Sequence, residues 1–128
     1  MKKIIQTDLA PKAIGPYSQA VQVGNILFMS GQIGIEPETG IMPDSLSDQV
    51  DQVMKNITNV VEKAGGDLSS IVKTTIFLLD MDDFSEFNQV YEKYFLEDPP
   101  ARSCVEATLP KNALVEIEAI AIISNKKD

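Results

Sequence analysis

The chain has 128 residues, of which 44% are hydrophobic and 23% charged, and it carries a net charge of −8. This length and composition fit one globular domain, residues 1–128, with a single core. The acidic balance and the single arginine, Arg102, argue against nucleic-acid binding, which needs a concentrated basic face. The absence of histidine excludes histidine-dependent catalytic triads and His-ligated metal sites.

No segment is predicted to enter a membrane or to direct secretion. The apolar runs are shorter than the roughly 18 residues that span a bilayer. Asp8 interrupts the start of the chain before a signal-peptide core can form. A single cysteine cannot form an internal disulfide, which fits a reducing compartment. We therefore expect a cytoplasmic protein with no membrane or nucleic-acid partner.

The first third of the chain alternates short apolar runs with turns rich in glycine and proline. The runs predict three strands, Lys3–Gln6, Gln19–Val23 and Ile26–Ser30. A Gly-Asn pair separates the second from the third, so these two are predicted to form a hairpin. A turn-rich loop, Pro37–Pro43, follows them.

The clearest helix comes after this loop. Apolar residues recur at helical spacing from Val50 to Ala64 and form one continuous stripe. Ser45 or Ser47 can cap the first turn. Gly65 is expected to end the helix in a left-handed conformation.

A strand and a second helix are predicted next. Ile71–Leu79 is apolar and β-branched, which favours a strand buried on most of both faces. Asp82 or Asp83 is expected to cap the helix, with Asp83 and Glu86 resembling a capping box. The helix carries Asn88 on an aromatic stripe made of Phe84, Phe87, Tyr91, Tyr94 and Phe95.

Two final strands, Arg102–Ala107 and Ala113–Ser124, complete the order β-β-β-α-β-α-β-β. Helices that alternate with strands in this way indicate an α+β fold, with a mixed sheet of about six strands and two helices on one face. Two helices cover only one face of such a sheet. The other face also carries apolar residues, so we expect the protein to self-associate.

Arginine, thiol and carboxylate groups near the last two strands are the candidate chemistry. Alternation along a strand puts Arg102 and Cys104 on one face of their strand, and Glu116 and Glu118 on one face of the last strand. If these strands pair as a hairpin, Arg102 and Cys104 can lie near the acid-bearing face. The arginine fork suits a carboxylate ligand. Glu116 can position or deprotonate water, and Glu118 would raise the pKa of one of the pair.

These and other candidate residues also have ordinary structural interpretations. Arg102 and the glutamates can form a solvated ion pair, worth about 0–1 kcal/mol. Cys104 has no histidine to activate it and is more typical of a packing residue.

The remaining candidates are also open to two interpretations. Tyr17 lies in a loop flanked by glycine and proline, where its hydroxyl is either exposed to a ligand or packed against the protein. Ser30 and Gly31 end a strand, where the glycine admits a ligand or forms a turn. The amide of Asn88 needs a partner, either structural or substrate.

Six short motifs occur in order along nearly the whole chain. They are Ala13-Ile14-Gly15-Pro16-Tyr17-Ser18-Gln19-Ala20, Phe28-Met29-Ser30-Gly31-Gln32-Ile33, Ile71-Val72-Lys73-Thr74-Thr75-Ile76-Phe77, Phe84 to Tyr91 with Asn88, Pro100-Ala101-Arg102-Ser103-Cys104-Val105-Glu106, and Val115-Glu116-Ile117-Glu118-Ala119. Together they resemble the Rid family of reactive intermediate deaminases, and within it the RidA type. The resemblance implies a chorismate-mutase-like α+β fold, a homotrimer whose sheets line an inner barrel, and three active sites at subunit clefts.

The resemblance also implies an activity. Members of this family hydrolyse short-lived 2-imino and enamine acids, such as 2-iminobutanoate and 2-iminopropanoate, to 2-keto acids and ammonia without a cofactor. Arg102 matches the arginine that clamps the substrate carboxylate, and Glu116 matches the acid that orients water. We predict Arg102, Glu116 and Tyr17 as catalytic residues. The predicted substrate-binding residues are Ser30, Gly31, Cys104 and Asn88.

Two alternatives remain at this level. The first is a non-catalytic trimer with a regulatory or chaperone-like role that binds a carboxylate ligand. The second, also implied by the resemblance, is a ribonuclease or translation inhibitor. The net charge of −8, the single arginine and the absence of histidine argue against it. The loop Leu96–Pro100 is shorter than the family pattern, and the stretch from Cys104 to Leu109-Pro110 is one residue shorter. The second difference leaves open whether Glu116 or Glu118 holds the water.

Overall fold

The computed structural model describes residues 1–124. The order of elements confirms the predicted one, and the single domain predicted over 1–128 includes residues 125–128, which lie outside the described residues. The elements are β1 (Lys2–Ile5), β2 (Ala20–Val23), β3 (Ile26–Gln32), α1 (Leu46–Lys63), β4 (Ile71–Leu78), α2 (Phe84–Tyr91), β5 (Ala101–Glu106) and β6 (Val115–Ile122). Within the described residues, no helix has the length and apolar character needed to cross a bilayer.

Helix α1 begins and ends where the sequence predicts. The Ser45 hydroxyl accepts a hydrogen bond from the backbone N–H of Asp48 at 3.2 Å, which identifies Ser45 rather than Ser47 as the N-cap. Gly65 follows the last turn with φ +98°, a conformation that glycine adopts without strain. The apolar stripe is buried from Val50 to Val61, and Ala64 at its end is partly buried.

Asp83 occupies the N-cap position of α2, as predicted, but the predicted capping box is wrong. The Asp83 side chain makes no capping hydrogen bond, because the chain enters the helix through a 3₁₀ turn, Met81–Asp83. Asp80 caps that turn by accepting from the N–H of Asp82 at 2.9 Å. Glu86 does not reach back to the helix start but accepts a hydrogen bond from Ser47 Oγ of α1 at 3.0 Å, so it ties the two helices together.

The six strands form one mixed sheet in the order β1-β2-β3-β6-β4-β5. The predicted hairpin of β2 and β3 is confirmed. The hairpin considered for β5 and β6 is wrong, since β4 lies between them. Strand β5 pairs with β4 in parallel, because α2 crosses over between them and returns the chain in the same direction. Strand β6 then fills the position between β3 and β4 and pairs antiparallel with both.

Both helices cover the same face of the sheet, as predicted, and the core lies between them and that face. Its fully buried members include Leu27, Val50, Val53, Ile57, Ile76, Leu78, Phe87, Val115 and Ile117. This arrangement confirms the α+β fold. The alternating pattern of β6 is also confirmed, since Val115 and Ile117 are buried while Glu116 and Glu118 lie on the opposite, open face.

Strand β4 differs from its prediction in that only one of its faces is buried within the chain. Ile76 and Leu78 are buried under the helices, whereas Val72 on the other face is 45% exposed. Further apolar side chains share this open face, among them Ile4, Val23, Ile26, Phe28 and Ile122. An apolar sheet face of this kind fits self-association. The homotrimer stays a prediction.

Candidate functional site

The predicted site residues fall into two groups on opposite faces of the sheet. The first group, the arginine cluster, consists of Arg102 on β5 with Asn88, Phe84 and Tyr91 on α2. It lies on the helix-covered face. The second group, the glutamate pocket, lies on the open face and contains the remaining predicted residues except Cys104: Tyr17, Ser30, Gly31 and Glu116.

The guanidinium of the arginine cluster is held by uncharged groups. Arg102 Nη1 donates a hydrogen bond to Asn88 Oδ1 at 2.8 Å. The Arg102 Cζ atom lies 5.5 Å from the ring centroid of Phe84 and 5.3 Å from that of Tyr91, within the range of cation–π attraction. The predicted alternative, an Arg–Glu ion pair on a shared sheet face, is therefore wrong, because α2 and not β6 supplies the arginine's partners.

An open cleft of about 730 Å³ adjoins the arginine cluster. Apolar side chains from the end of α2 and from the loop before β5 form most of its wall, beside the polar groups of the cluster. The lining residues include Tyr91, Phe95, Leu96, Pro99, Pro100 and Arg102. The short loop Leu96–Pro100 thus forms part of the cleft.

Cys104 lies two residues further along β5 and is half-buried against the core. Burial raises the pKa of its thiol, and the nearby positive charge of Arg102 opposes that shift without cancelling it. A thiol with a raised pKa holds little thiolate at neutral pH, so it is poorly suited to act as a nucleophile. This fits the interpretation of Cys104 as a packing residue.

The glutamate pocket is a cavity of about 820 Å³ on the open face. Ser30 is held at its wall because its hydroxyl donates to the carbonyl of Ser18 at 2.7 Å. Tyr17 is 53% exposed, and its hydroxyl accepts from the N–H of Ile14 at 3.4 Å, which leaves the phenolic proton available to a ligand. Two lysines that the sequence did not single out, Lys12 and Lys111, also line the pocket.

A β-bulge shapes this pocket. The register between β3 and β6 shifts between Met29 and Gln32, so that Ser30 and Gly31 together face Glu118. The carboxylate of Glu116 lies against the Cα of Gly31, and a Cβ at that position would overlap it and come within 2.9 Å of Glu116 Cδ. Gly31 is therefore required for the carboxylate to occupy its place.

Glu116 has a raised pKa. Its half-buried position is the largest cause, and repulsion from Glu118 adds to it. This confirms the expectation that one of the two glutamates has a raised pKa. Burial distinguishes the pair, because Glu118 is exposed while Glu116 is half-buried. A carboxylate of raised pKa that opens into a cavity is suited to accept a proton.

Metal binding finds no support in the described part of the chain. Within residues 1–124, no group of three or more Cys, Asp or Glu side chains is arranged to hold a metal ion. The chemistry of the two groups thus consists of a fixed guanidinium on one face and a carboxylate with hydroxyl neighbours on the other.

Comparison with known proteins places these residues in a family. The family model described as endoribonuclease L-PSP matches residues 7–123. The chain belongs to this family, the Rid family. A RutC family protein of Pyrococcus horikoshii is 52% identical to this Rid protein over 123 residues, covering 94% of the chain and 98% of the relative.

Two further relatives of this Rid protein come from Escherichia coli. One is a 2-iminobutanoate/2-iminopropanoate deaminase, 48% identical over 126 residues, with 95% of the present chain and 98% of the relative covered. The other is the solved structure of TdcF with bound serine, which is 44% identical, has a TM-score of 0.92, and covers 95% and 99% of the two chains.

The Rid protein does not bring its predicted catalytic residues together within one chain. Glu116, Tyr17, Ser30 and Gly31 share one cavity, but Arg102 lies on the other face with Asn88. The sequence pattern assigned the aromatic partners of the arginine to an apolar stripe of α2. Their spacing nevertheless indicates that they share a helix face with Asn88. Phe84, Asn88 and Tyr91 occupy positions i, i+4 and i+7 of α2 and so share one face of it.

Proposed function

We propose that this protein is a hydrolytic deaminase that converts short 2-imino and enamine acids, such as 2-iminobutanoate and 2-iminopropanoate, to 2-keto acids and ammonia. The observation that carries the proposal is the half-buried Glu116, whose raised pKa and position in the glutamate pocket suit it to activate water. The 48% identical relative that bears this activity in its name supports the substrate class.

The opposite positions of the two groups support a site that is completed by more than one subunit. A small 2-imino acid cannot touch Arg102 and Glu116 of the same chain, because the sheet separates them. The Rid family implies homotrimers with active sites at subunit clefts. We therefore propose that Arg102 of one subunit faces Glu116 of the partner subunit across such a cleft.

The proposed reaction needs water as its only co-reactant and no cofactor. Arg102 binds the substrate carboxylate through two parallel hydrogen bonds and orients the imine. The water oxygen bonds to C2 of the protonated imine, the C=N electron pair moves to nitrogen, and Glu116 takes a proton from the water. Glu116 then returns this proton to the nitrogen, and the C–N bond breaks as its electron pair leaves with ammonia. The hydroxyl oxygen on C2 forms the C=O bond and gives its own proton to the Glu116 carboxylate, which releases it to solvent in place of the proton that the imine took up. Ammonia and the 2-keto acid are the products. Glu116 also balances the positive charge that the iminium carries.

The proposal is tested in a coupled assay. A threonine dehydratase generates 2-aminocrotonate and 2-iminobutanoate, and release of 2-ketobutanoate is followed with and without this protein. Faster release than the spontaneous reaction is expected. An unchanged rate, at concentrations where the Escherichia coli deaminase accelerates release, would refute the activity.

Mixed trimers test whether the site is shared between subunits. Arg102→Ala and Glu116→Gln, each nearly inactive alone, are unfolded and refolded together at a ratio of 1:1. If one site takes its arginine and its glutamate from different subunits, random assembly restores about one quarter of the sites. Refolding each variant separately and then combining them without subunit exchange is the control. No recovery after joint refolding would mean that the site does not have this composition.

Gly31→Ala tests the position of the Glu116 carboxylate. The added Cβ overlaps that carboxylate, so the side chain must move away from its water-holding place, and kcat is expected to fall about 10-fold or more. Gly24→Ala is the matched control, since Gly24 has φ +60° and open space around it. It is expected to lower the melting temperature while leaving kcat unchanged. Equal kcat for Gly31→Ala and wild type would show that the contact has no catalytic role.

A non-catalytic ligand-binding trimer is the second candidate function. It is favoured by the arginine cluster, which can bind a carboxylate without help from the glutamate pocket. Saturable binding of 2-ketobutanoate without turnover of the imine would support it. The endoribonuclease description of the family model is not proposed for this chain, because a net charge of −8 with one arginine opposes RNA binding.

A further inference from the structure

Among residues 1–124, the guanidinium of Arg102 is immobilised by side chains that do not neutralise its charge. Arg102 is an exposed residue on an edge strand, where a long side chain ordinarily keeps its rotamer freedom. Three side chains of α2 restrict it here, and all three, Phe84, Asn88 and Tyr91, are uncharged. Burial raises the pKa of Tyr91, so its phenol also stays neutral. The positive charge thus remains available to an anion.

A closed chain of contacts fixes the ring of Tyr91 against the arginine. Thr74 on β4 is the register partner of Arg102 on β5. Its buried hydroxyl lies 2.7 Å from the hydroxyl of Tyr91. The centroid of the Tyr91 ring in turn lies 5.3 Å from Arg102 Cζ. The Tyr91 ring also packs against the rings of Phe87 and Phe95, with centroid distances of 5.1 and 5.0 Å.

We propose that the Thr74–Tyr91 hydroxyl pair is a positioning device for the substrate-binding arginine. The pair sets the plane of the Tyr91 ring, and the ring sets the orientation in which the guanidinium meets a carboxylate. Thr74 and Tyr91 are accordingly positioning residues that act through Arg102. This inference rests on the proposed role of Arg102 as the carboxylate ligand.

A purely structural role would have different consequences. The same hydrogen bond also ties β4 to α2, so its loss lowers stability in either case. Only a positioning role makes the effect of this loss on ligand affinity depend on the presence of Arg102. A double-mutant cycle between the hydroxyl pair and the arginine therefore separates the two roles.

The test measures the dissociation constant of 2-ketobutanoate by isothermal titration calorimetry. The variants are Thr74→Val, Tyr91→Phe and the double variant, which leaves no unpaired buried hydroxyl. Each is made in the wild-type and in the Arg102→Ala background. Each hydroxyl deletion is expected to weaken binding about five-fold when Arg102 is present and less than two-fold when it is absent. Thr74→Ser retains the hydroxyl and should bind as wild type does.

Tyr94→Phe is the matched control for stability. The Tyr94 hydroxyl donates to Asp51 Oδ1 at 2.6 Å and joins the turn after α2 to α1, without a contact to Arg102. Its removal is expected to lower the melting temperature without changing the dissociation constant. Equal weakening of binding in both backgrounds, or lower stability with unchanged binding, would overturn the proposal.

The outcome is independent of whether the protein is a deaminase. If the imine assay shows no turnover but binding follows the expected pattern, the proposed activity fails and the positioning role stands. If turnover is found but the hydroxyl deletions leave binding unchanged, the activity stands and the positioning role fails.

Discussion

Replacement of Arg102 by alanine is expected to lower kcat/KM for 2-iminobutanoate by about 10²- to 10⁴-fold. Loss of a charge-assisted bidentate contact costs on the order of 3–5 kcal/mol. Arg102→Lys keeps the charge but not the planar fork, so it should recover only part of the loss. The measurement is the initial rate of 2-ketobutanoate release in the coupled dehydratase assay at subsaturating imine.

Folding of this variant should be nearly unaffected, which makes the result interpretable. Arg102 is exposed and lies on an edge strand, and its side chain donates a hydrogen bond to Asn88. Its melting temperature and oligomeric state serve as controls. A kcat/KM within three-fold of wild type would contradict the assignment of Arg102 as the carboxylate ligand.

The second large effect is expected for Glu116→Gln. Glutamine keeps the shape of the side chain but cannot accept a proton from water, and general-base catalysis contributes about 10²- to 10⁴-fold to a rate. We expect kcat to fall by about this factor while KM changes little, because Arg102 still binds the carboxylate. Single-turnover measurement of imine hydrolysis separates the two constants.

Glu118→Gln is the matched control. It makes the same chemical change two residues away on the same face of β6, but in an exposed side chain. Its kcat at neutral pH should lie within a few-fold of wild type. If Glu118→Gln instead loses the activity and Glu116→Gln retains it, the water is held by Glu118.

These two variants also define a pH dependence. Glu116 acts as a base only when deprotonated, and its pKa is raised from 4.5, so activity should fall on the acid side at a pH above that value. Removal of the Glu118 charge relieves the repulsion on Glu116 and so lowers the pKa of Glu116. Glu118→Gln is therefore expected to move the acid limb of the kcat/KM profile to lower pH. A shift to higher pH, or none, would show that the limb belongs to another group.

The helices, the strands and most of the reactive groups of this protein follow from local sequence patterns. Side-chain periodicity and local capping chemistry decide where α1 runs, because Ser45, the apolar stripe and Gly65 act within a few residues of one another. The same locality placed Glu116 and Glu118 on one face of β6. Motif resemblance singled out Arg102, Tyr17 and Gly31 before any contact was known.

Which of these groups come into contact depends on the long-range pairing of the strands. Strand pairing is a long-range choice, and the crossover through α2 placed β4 between β5 and β6, so that Arg102 and Glu116 face opposite sides of the sheet. No spacing in the sequence encodes that separation. The tertiary structure likewise gave Arg102 its neutral partners on α2 and gave Glu116 its place against Gly31, since both contacts join residues far apart in the chain.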